Sequence, residues 1–522
     1  MLCVALLTSV AVLGARAASP SDVRLMVGII VEGLDGARLD QIRPHLSADG
    51  FELLRRNGIA IENLDYGTAL DPAAATALIV TGAAPEINGI EGATVYDPVT
   101  GRVLSAYADP SALGNFTNAS LSPKALRTTT LSDEARLASS GVSVVYAVAA
   151  DAGTALPLGG HTGNLAMWLD PVTSNWATST YYREMPAIIA AANRTAPLAA
   201  RMDTMSWTPS LAPAEYPDVP DHLTRYPFRH VFPRGSASRH EAFAASPLAA
   251  REVTKTASDL FRAVRPGSHE EGIDVLNVAY SLEPYQYTRT GENRVETMDA
   301  YVKVDAQIAA LLRDIDTRVG LDHAVIWLAG TPARPRSRRE DDRWTLPRGE
   351  LSTRRAASLL NIYLMAIYGN GDFVSGVHDG RIYLNNSLID ERHLDAELIR
   401  RQAAAFLTRM SGISRAWTRD AIVEGLAGEG RRRNTVAESS ADVWFDVAPG
   451  YEIVDDYADP TATPQGMTVR LAAPFTPAFI MAPGVAPRII GEPVDARRLA
   501  PTLARVMRIR PPTGASEAPL IL

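Results

Sequence analysis

The segment Val27-Gly-Ile-Ile-Val-Glu32 decides the fold, because it is a continuous apolar run that does not alternate with polar residues. Such a run is typical of a β-strand that is covered on both faces. Similar runs predict strands at residues 59–64, 144–149, 273–280, 324–328 and 478–481, and helical spacing predicts a helix over 295–318. Strands that alternate with helices predict an α/β fold, with a central, mainly parallel sheet and helices on both faces.

Composition limits the class of protein. The chain has 522 residues, of which 46% are hydrophobic and 21% charged, as in ordinary soluble globular proteins. Its length predicts two or more domains, or one large domain with insertions. A formal net charge of −8 gives no reason to expect nucleic acid as a partner.

The N-terminus indicates export. Residues 2–14 form a short apolar run, and Ala15-Arg16-Ala17 follows as a small-x-small cleavage pattern. The run is too short to cross a bilayer and predicts a signal peptide over residues 1–17, with a buried N-terminal segment as the alternative. We therefore expect a mature chain in the periplasm or at the cell surface, without a transmembrane segment. Cys3 is the single cysteine and lies within this run, so the mature chain would contain no disulfide.

The pattern along the chain predicts four regions. After the signal peptide, residues 18–333 form the core, with a proline- and aromatic-rich surface insertion near 207–247. Residues 334–435 comprise an arginine-rich loop and a smaller α/β subdomain, and residues 436–522 return to the core. The arginine-rich segment 334–355 is either a solvated loop or an anion-binding patch.

Several segments occur together in one order along the chain. They are residues 27–32, Val80-Thr-Gly-Ala-Ala-Pro-Glu-Ile-Asn-Gly-Ile90, 122–131, Leu156-Pro-Leu-Gly-Gly-His161, 168–182, 291–305 and 360–385. Together they resemble the secreted bacterial alkaline phosphatases of the alkaline phosphatase and nucleotide pyrophosphatase superfamily, in the monoesterase branch common in Bacteroidetes-type bacteria. This resemblance implies an alkaline-phosphatase-like fold. It also implies two zinc ions, held by aspartates and histidines, and a Thr or Ser nucleophile between them.

The family's functional residues do not carry over to this sequence. The resemblance places the nucleophile at Pro72, and the metal ligands at Glu32, Pro284, Thr288, Thr331 and Pro332. The last histidine ligand has no counterpart, because no histidine follows His393. The phosphate-contacting positions fall on Ala93, Ala150 and Ala152. Proline and alanine cannot coordinate zinc, and neutral threonine hydroxyls are poor replacements for carboxylate and imidazole.

These replacements predict that both zinc ions and the catalytic residues have been lost. The first hypothesis is accordingly a pseudophosphatase that binds or assembles with an unknown protein or surface ligand. A second is an active metal-dependent phosphatase or phosphodiesterase whose site is rebuilt on carboxylates such as Glu32 and Asp71. A third is a sugar- or lipid-binding module on the outer surface.

The sequence at the nucleophile position predicts a capped helix. Asp71-Pro72-Ala-Ala-Ala places an N-cap aspartate before a proline at the first helical position and a run of strong helix formers. The Asp71 carboxylate would then satisfy N–H groups that could otherwise receive a phosphate. We expect a stable site that rejects phosphate.

Other acidic and histidine residues are weaker candidates for a site. Asp218-Val-Pro-Asp-His222 contains two zinc-ligand spacings, but it lies in the insertion and is not expected to bind metal. His161 is expected to have a structural role. Glu32, Asp35, Asp40 and Asp71 could together hold one hard cation, although capping and surface roles are favoured.

Overall fold

The computed structural model describes residues 23–68, 70–217, 219, 227–269, 271–288, 293–333, 349–436, 441–448, 450–457 and 475–522. The predicted signal peptide, Asp218, His222 and residues 334–348 of the arginine-rich segment lie outside these ranges.

The strands are numbered in chain order. They are β1 (Leu25–Glu32), β2 (Ile59–Asp65), β3 (Thr94–Asp97), β4 (Arg102–Ser105), β5 (Gly114–Asn115), β6 (Val145–Val148), β7 (Leu165–Leu169), β8 (Trp176–Ser179), β9 (Ser206–Trp207), β10 (His230–Val231), β11 (Asp274–Ser281), β12 (Ala324–Thr331), β13 (Gly349–Ser352), β14 (Val374–His378), β15 (Arg381–Leu384), β16 (Ile413–Thr418), β17 (Val443–Val447), β18 (Tyr451–Val454), β19 (Thr476–Met481), β20 (Arg488–Ile490) and β21 (Val494–Asp495).

The α-helices are numbered in the same way. They are α1 (Gly36–Ile42), α2 (Phe51–Asn57), α3 (Pro72–Thr81), α4 (Pro85–Asn88), α5 (Leu131–Ala138), α6 (Ala152–Gly159), α7 (Ala187–Thr195), α8 (Leu198–Arg201), α9 (Arg239–Ala244), α10 (Pro247–Val264), α11 (Arg294–Arg318), α12 (Thr353–Tyr368), α13 (Asn386–Glu391), α14 (Ala396–Leu407), α15 (Arg419–Val423), α16 (Glu429–Arg433) and α17 (Leu499–Met507).

A large sheet forms the centre of the molecule. Among the described residues it runs in the order β20-β2-β19-β12-β1-β11-β6-β7-β8-β5, with β21 also paired to β2. The five strands from β12 to β7 are mutually parallel, whereas β19 and β8 are antiparallel to their neighbours. Strand β1 lies in the middle and is buried along its length up to Glu32, as its unbroken apolar run predicts. The predicted α/β fold with a mainly parallel sheet is confirmed.

A smaller subdomain carries a second sheet. Strands β14, β15, β17 and β16 pair in that order, all antiparallel, and α12 and α14 pack against them around a separate apolar cluster. Strand β13 pairs in parallel with β18, which brings the beginning and the end of the subdomain together. Strands β17 and β18 therefore belong with this smaller unit, although the sequence analysis assigned residues from 436 onward to the core. Both are short apolar runs, and only their pairing shows which sheet they complete.

The proline- and aromatic-rich stretch is not a surface insertion along its whole length. Strands β9 and β10 pair with each other, and Trp207, Phe232 and Phe243 are buried within the main apolar cluster. Large aromatic side chains contribute much of a protein's buried area. Their burial explains why this stretch packs onto the core, contrary to the expectation from its prolines.

The hairpin of β3 and β4 joins the subdomain to the core. Tyr96 packs on Tyr383, with ring centroids 4.7 Å apart, and both side chains are buried. Close by, Arg381 of β15 forms a buried ion pair with Glu91 at 3.4 Å. Nearby negative charge, mainly that of Glu91, raises the pKa of Arg381, although burial alone would lower it. These contacts fix the segment that leads into Ala93.

Candidate functional site

The candidate site lies at the carboxyl edge of the central sheet. Parallel register pairs Glu32, the last residue of β1, with Ser281 of β11 on one side and with Thr331 of β12 on the other. Ligand sites in open α/β sheets lie at this edge of the strands. Three positions that the family would use, Glu32, Thr331 and the adjoining Pro332, thus come together where a site is expected.

Glu32 is held by a hydroxyl of a neighbouring helix. The Thr154 hydroxyl donates a hydrogen bond to Glu32 Oε1 at 2.5 Å, and the Thr154 side chain is buried. Thr154 is the third residue of α6, so this bond joins the end of β1 to the first turn of that helix. One oxygen of the Glu32 carboxylate is therefore occupied by an internal donor.

Helix α3 begins at Pro72, the residue to which the resemblance assigns the nucleophile position. Pro72 is buried, and Asp71 precedes it with extended backbone dihedral angles. The Asp71 Oδ1 accepts a hydrogen bond from the Ala73 backbone N–H at 2.8 Å. Asp71 is thus the N-cap of α3, and its carboxylate lies where the free N–H groups would otherwise attract an anion.

A second helix begins beside the first. Asp151 caps α6 by accepting from the Gly153 N–H at 2.8 Å. A Cβ atom added to Gly153 would lie 3.1 Å from the Ala73 Cβ and 3.9 Å from the Ala93 Cβ. The first turn of α6 therefore lies beside Ala73, the residue that follows Pro72 in α3, and near Ala93, one of the positions that the resemblance assigns to phosphate contact.

The electrostatic environment of these helix starts is acidic. Tyr107 is fully buried, and among the described residues its hydroxyl has no hydrogen-bond partner. Burial raises the pKa of the Tyr107 phenol far above its usual value, and the charges of Asp71 and Asp151 raise it further. The two carboxylates therefore place negative potential where a phosphate would have to sit.

The loop after β11 carries two more of the predicted positions, Pro284 and Thr288. Tyr285, which lies between them, packs against Trp207 and His230 with ring centroids 5.0 and 4.7 Å apart. Thr288 Oγ1 is buried and has no hydrogen-bond partner among the described residues. These aromatic contacts hold the loop against the proline- and aromatic-rich stretch of residues 207–247.

The end of β12 is fixed from the neighbouring strands. Tyr66 and Thr476 both donate hydrogen bonds to the Gly330 carbonyl, at 2.5 and 2.8 Å. The next residue, Thr331, is fully buried, and its hydroxyl has no partner within the described part of the chain. A carboxylate at this position would have pointed to the same side as Glu32, because paired residues on parallel strands share a face.

The donor chemistry does not fit the pair of zinc ions that the resemblance implies. Pro284 and Pro332 have no donor atom, and Thr288 and Thr331 offer only neutral hydroxyls. Over the ranges that the structure describes, no three His, Cys, Asp or Glu side chains come together as a metal site would require. No catalytic step through zinc can be built from these residues.

The other acidic candidates have local roles. Asp35 caps α1 by accepting from the Ala37 and Arg38 N–H groups, and Asp40 forms an ion pair with Arg43 on the surface. Neither joins Glu32 and Asp71 in a cation site in the described structure.

His161 contacts two other segments of the core, one at Asp133 and one at Leu126. Its Nδ1 lies 3.0 Å from Asp133 Oδ2, and its Nε2 lies 3.1 Å from the Leu126 carbonyl oxygen. Hydrogen bonding to Asp133 raises the pKa of His161. Burial acts to raise the pKa of Asp133, but its hydrogen bonds, first that from His161, lower it overall. The arrangement is structural, since Asp133 also completes the capping box of α5.

Sequence reasoning missed Asp151, Thr154 and Tyr107. The signal for Asp151 was present, because an aspartate before a run of helix-compatible residues predicts an N-cap. Thr154 and Tyr107 gave no sequence signal, since only the packing of distant segments brings them to the site.

Fold and site together define an α/β protein with an alkaline-phosphatase-like architecture. The crystal structure of wild-type alkaline phosphatase PafA superposes with a TM-score of 0.81 at 20% identity, over 95% of this chain and 98% of that chain. This likeness is one of fold.

Comparison of sequences gives the family. Residues 29–468 match the family described as Type I phosphodiesterase / nucleotide pyrophosphatase, and the chain belongs to that family. Among its relatives are alkaline phosphatase PhoV of Synechococcus elongatus, 25% identical over 94% of this chain and 91% of that protein, and a protein named calcium-transporting ATPase of Myroides odoratus, 24% identical over 95% and 94%. The predicted membership of the alkaline phosphatase superfamily, in its bacterial monoesterase type, is confirmed. No helix in the described ranges has the length and apolar character needed to cross a bilayer.

Proposed function

We propose that this protein is a catalytically inactive, alkaline-phosphatase-like protein with a binding or assembly role outside the cytoplasm. The observation that carries the proposal is the chemistry of the carboxyl edge. The resemblance assigns a nucleophile and two metal ligands to Pro72, Pro284 and Pro332, and these residues are prolines. Metal-assisted phosphoryl transfer needs an activated nucleophile and cations that stabilise the attacking and leaving oxygens. These side chains supply neither.

The charges of the site support the same proposal. Asp71 and Asp151 cap the two helices whose N-termini meet beside position 72. A phosphate dianion placed there would meet two carboxylates in a partly buried environment, where like charges repel more strongly than in water. The scaffold is retained and the anion site is replaced, as is expected of a fold reused for binding.

Zinc content and turnover test the proposal. The mature chain would be incubated with excess zinc, desalted and measured by mass spectrometry, and then assayed with 4-nitrophenyl phosphate and bis(4-nitrophenyl) phosphate. We expect less than one zinc ion per chain. We also expect no turnover above the buffer background in the parent, in Glu32→Ala or in Glu62→Ala, a matched change at an exposed position of β2.

Either of two results would favour the active alternative. One is two tightly held zinc ions per chain. The other is turnover that a chelator abolishes and that Glu32→Ala removes while Glu62→Ala retains it. The first result would mean that the chain holds a zinc site that the assigned positions do not explain, and the second would locate a rebuilt metal site at the carboxylate at the end of β1.

Export is proposed from the N-terminal pattern of residues 1–17. Expression of the full chain in a Gram-negative host should give a mature protein in the periplasmic fraction, cleaved near Ala17. Intact mass measures the cleavage. A chain that keeps residues 1–17 and stays in the cytoplasm would refute the proposed location and leave the account of the site unaffected.

A further inference from the structure

A cavity lies away from the candidate site. It has a volume of about 390 Å³, and its lining includes Tyr146, Asn164, Arg183, Ile188 and Val264. We name it the Tyr146 cleft. Tyr146 is the second residue of β6, whereas Ala150 of the candidate site follows the end of that strand. Four residues of extended chain separate the two by ~13 Å, so the cleft is a different site.

The floor of the cleft presents hydrogen-bond donors without acceptors. Asn164 is 2% exposed, and its Oδ1 accepts from Arg136 Nη1 at 2.5 Å and from the Val145 N–H at 2.9 Å. These two donors fix the amide orientation and turn the Asn164 NH₂ group away from them. Within the described ranges neither that NH₂ group nor the Tyr146 hydroxyl has a hydrogen-bond partner, although Tyr146 is only 9% exposed. Both groups are therefore available to a ligand that enters the cleft.

Two guanidinium groups beside the cleft lack a counter-ion. The backbone of the exposed Arg183 lies next to Asn164, because the Arg183 N–H donates a hydrogen bond to the Asn164 carbonyl at 3.0 Å. Arg136 donates to neutral oxygens of Ser143 and Asn164. In the described part of the chain neither arginine forms an ion pair with a carboxylate. Burial and the charge of Arg183 lower the pKa of Arg136, which shows that the two cations are electrostatic neighbours.

The carboxylates nearby limit the charge of a ligand. Glu184 lines the cleft together with Arg183, so the two charges of the lining balance and a second negative charge on a ligand would have no counterpart there. Asp274 adds a negative charge close by: burial raises the pKa of Tyr146, the charge of Asp274 raises it further, and the charges of Arg183 and Arg136 act in the opposite direction. A monoanion matches the cleft better than a dianion.

We propose that the Tyr146 cleft binds a small amphipathic monocarboxylate. Its carboxylate would accept hydrogen bonds from Arg183, Asn164 and Tyr146, and its hydrocarbon part would lie against Ile188 and Val264. Small-molecule sites commonly combine apolar walls with a few convergent polar groups in this way, at volumes in the range found here.

Isothermal titration of the mature chain with octanoate tests the proposal. We expect saturable one-to-one binding of octanoate, much weaker binding of octanol and acetate, and weaker binding of octyl phosphate. Arg183→Gln should weaken octanoate binding about tenfold or more, and Tyr146→Phe about threefold, as expected for a charged and a neutral hydrogen bond. Arg194→Gln is the matched control, because Arg194 is also exposed and lies in α7; it should change binding less than about twofold.

Four results would overturn the proposal. They are no saturable binding below the micelle concentration of octanoate, octanol binding as tightly as octanoate, equal losses in Arg183→Gln and Arg194→Gln, and tighter binding of octyl phosphate. Since Arg183 is exposed and Tyr146→Phe removes only an unpartnered hydroxyl, both variants should fold, and thermal unfolding checks this. The proposed loss of phosphatase chemistry does not depend on the outcome.

Discussion

Replacing Asp71 by alanine tests whether helix α3 depends on its carboxylate cap. The Asp71 carboxylate accepts a hydrogen bond from the Ala73 N–H at 2.8 Å, and all ten residues of α3 are buried. Loss of an N-cap acceptor costs roughly 0.5–2 kcal/mol. Asp71 itself is only half-buried, so water can partly replace the lost oxygen. We therefore expect a decrease of about 1 kcal/mol in the free energy of unfolding.

Urea unfolding followed by tryptophan fluorescence and circular dichroism provides the measurement. Asp71→Asn is the matched variant, because asparagine keeps a side-chain oxygen that can cap the helix; it should lie within about 0.5 kcal/mol of the parent. The alanine variant should also gain affinity for phosphate, because its helix N–H groups are uncovered. Added phosphate would then raise the midpoint of Asp71→Ala and leave that of the parent unchanged.

Two results would refute this reasoning. If Asp71→Ala were as stable as the parent, the carboxylate would not act as a cap. If Asp71→Asn lost as much stability as Asp71→Ala, the charge of Asp71 would matter and its capping oxygen would not.

Three further predictions concern buried polar groups. Thr331→Val should stabilise the protein by about 1 kcal/mol in urea unfolding, because it removes a buried hydroxyl that has no partner in the described structure; a loss of stability would show that the hydroxyl is satisfied. Glu91→Ala should lower the free energy of unfolding by about 3 kcal/mol, because it leaves the buried Arg381 charge without its main partner. Faster proteolysis between the subdomain and the core would report this loss of stability. His161 should make stability depend on pH: since its pKa is raised in the folded state, its contribution is complete below about pH 6.5 and disappears as the pH rises through the folded-state pKa. The test compares the free energies of unfolding of the parent and of His161→Ala from pH 5 to pH 9. The difference between the two proteins should decrease on the alkaline side, and a difference independent of pH would contradict the prediction.

The sequence by itself determined the central architecture. The run from Val27 to Glu32 could only be a strand covered on both faces, and the helix predicted over residues 295–318 corresponds to α11. Such elements can be predicted because burial on both faces and helical periodicity each produce a recognisable pattern of apolar residues within one segment. The chemistry of Pro72, Pro284 and Pro332 could also be predicted from the sequence, since a proline side chain can neither attack phosphorus nor ligate a metal in any fold.

Only the tertiary structure decided which residues meet. It assigned β17 and β18 to the smaller sheet and buried Trp207 within the core. It also brought Thr154 to Glu32, 122 positions apart in the chain, and set the helix starts of Asp71 and Asp151 side by side. The physical reason is that strand pairing and helix packing act between segments distant in sequence, whereas propensity and periodicity act within one segment.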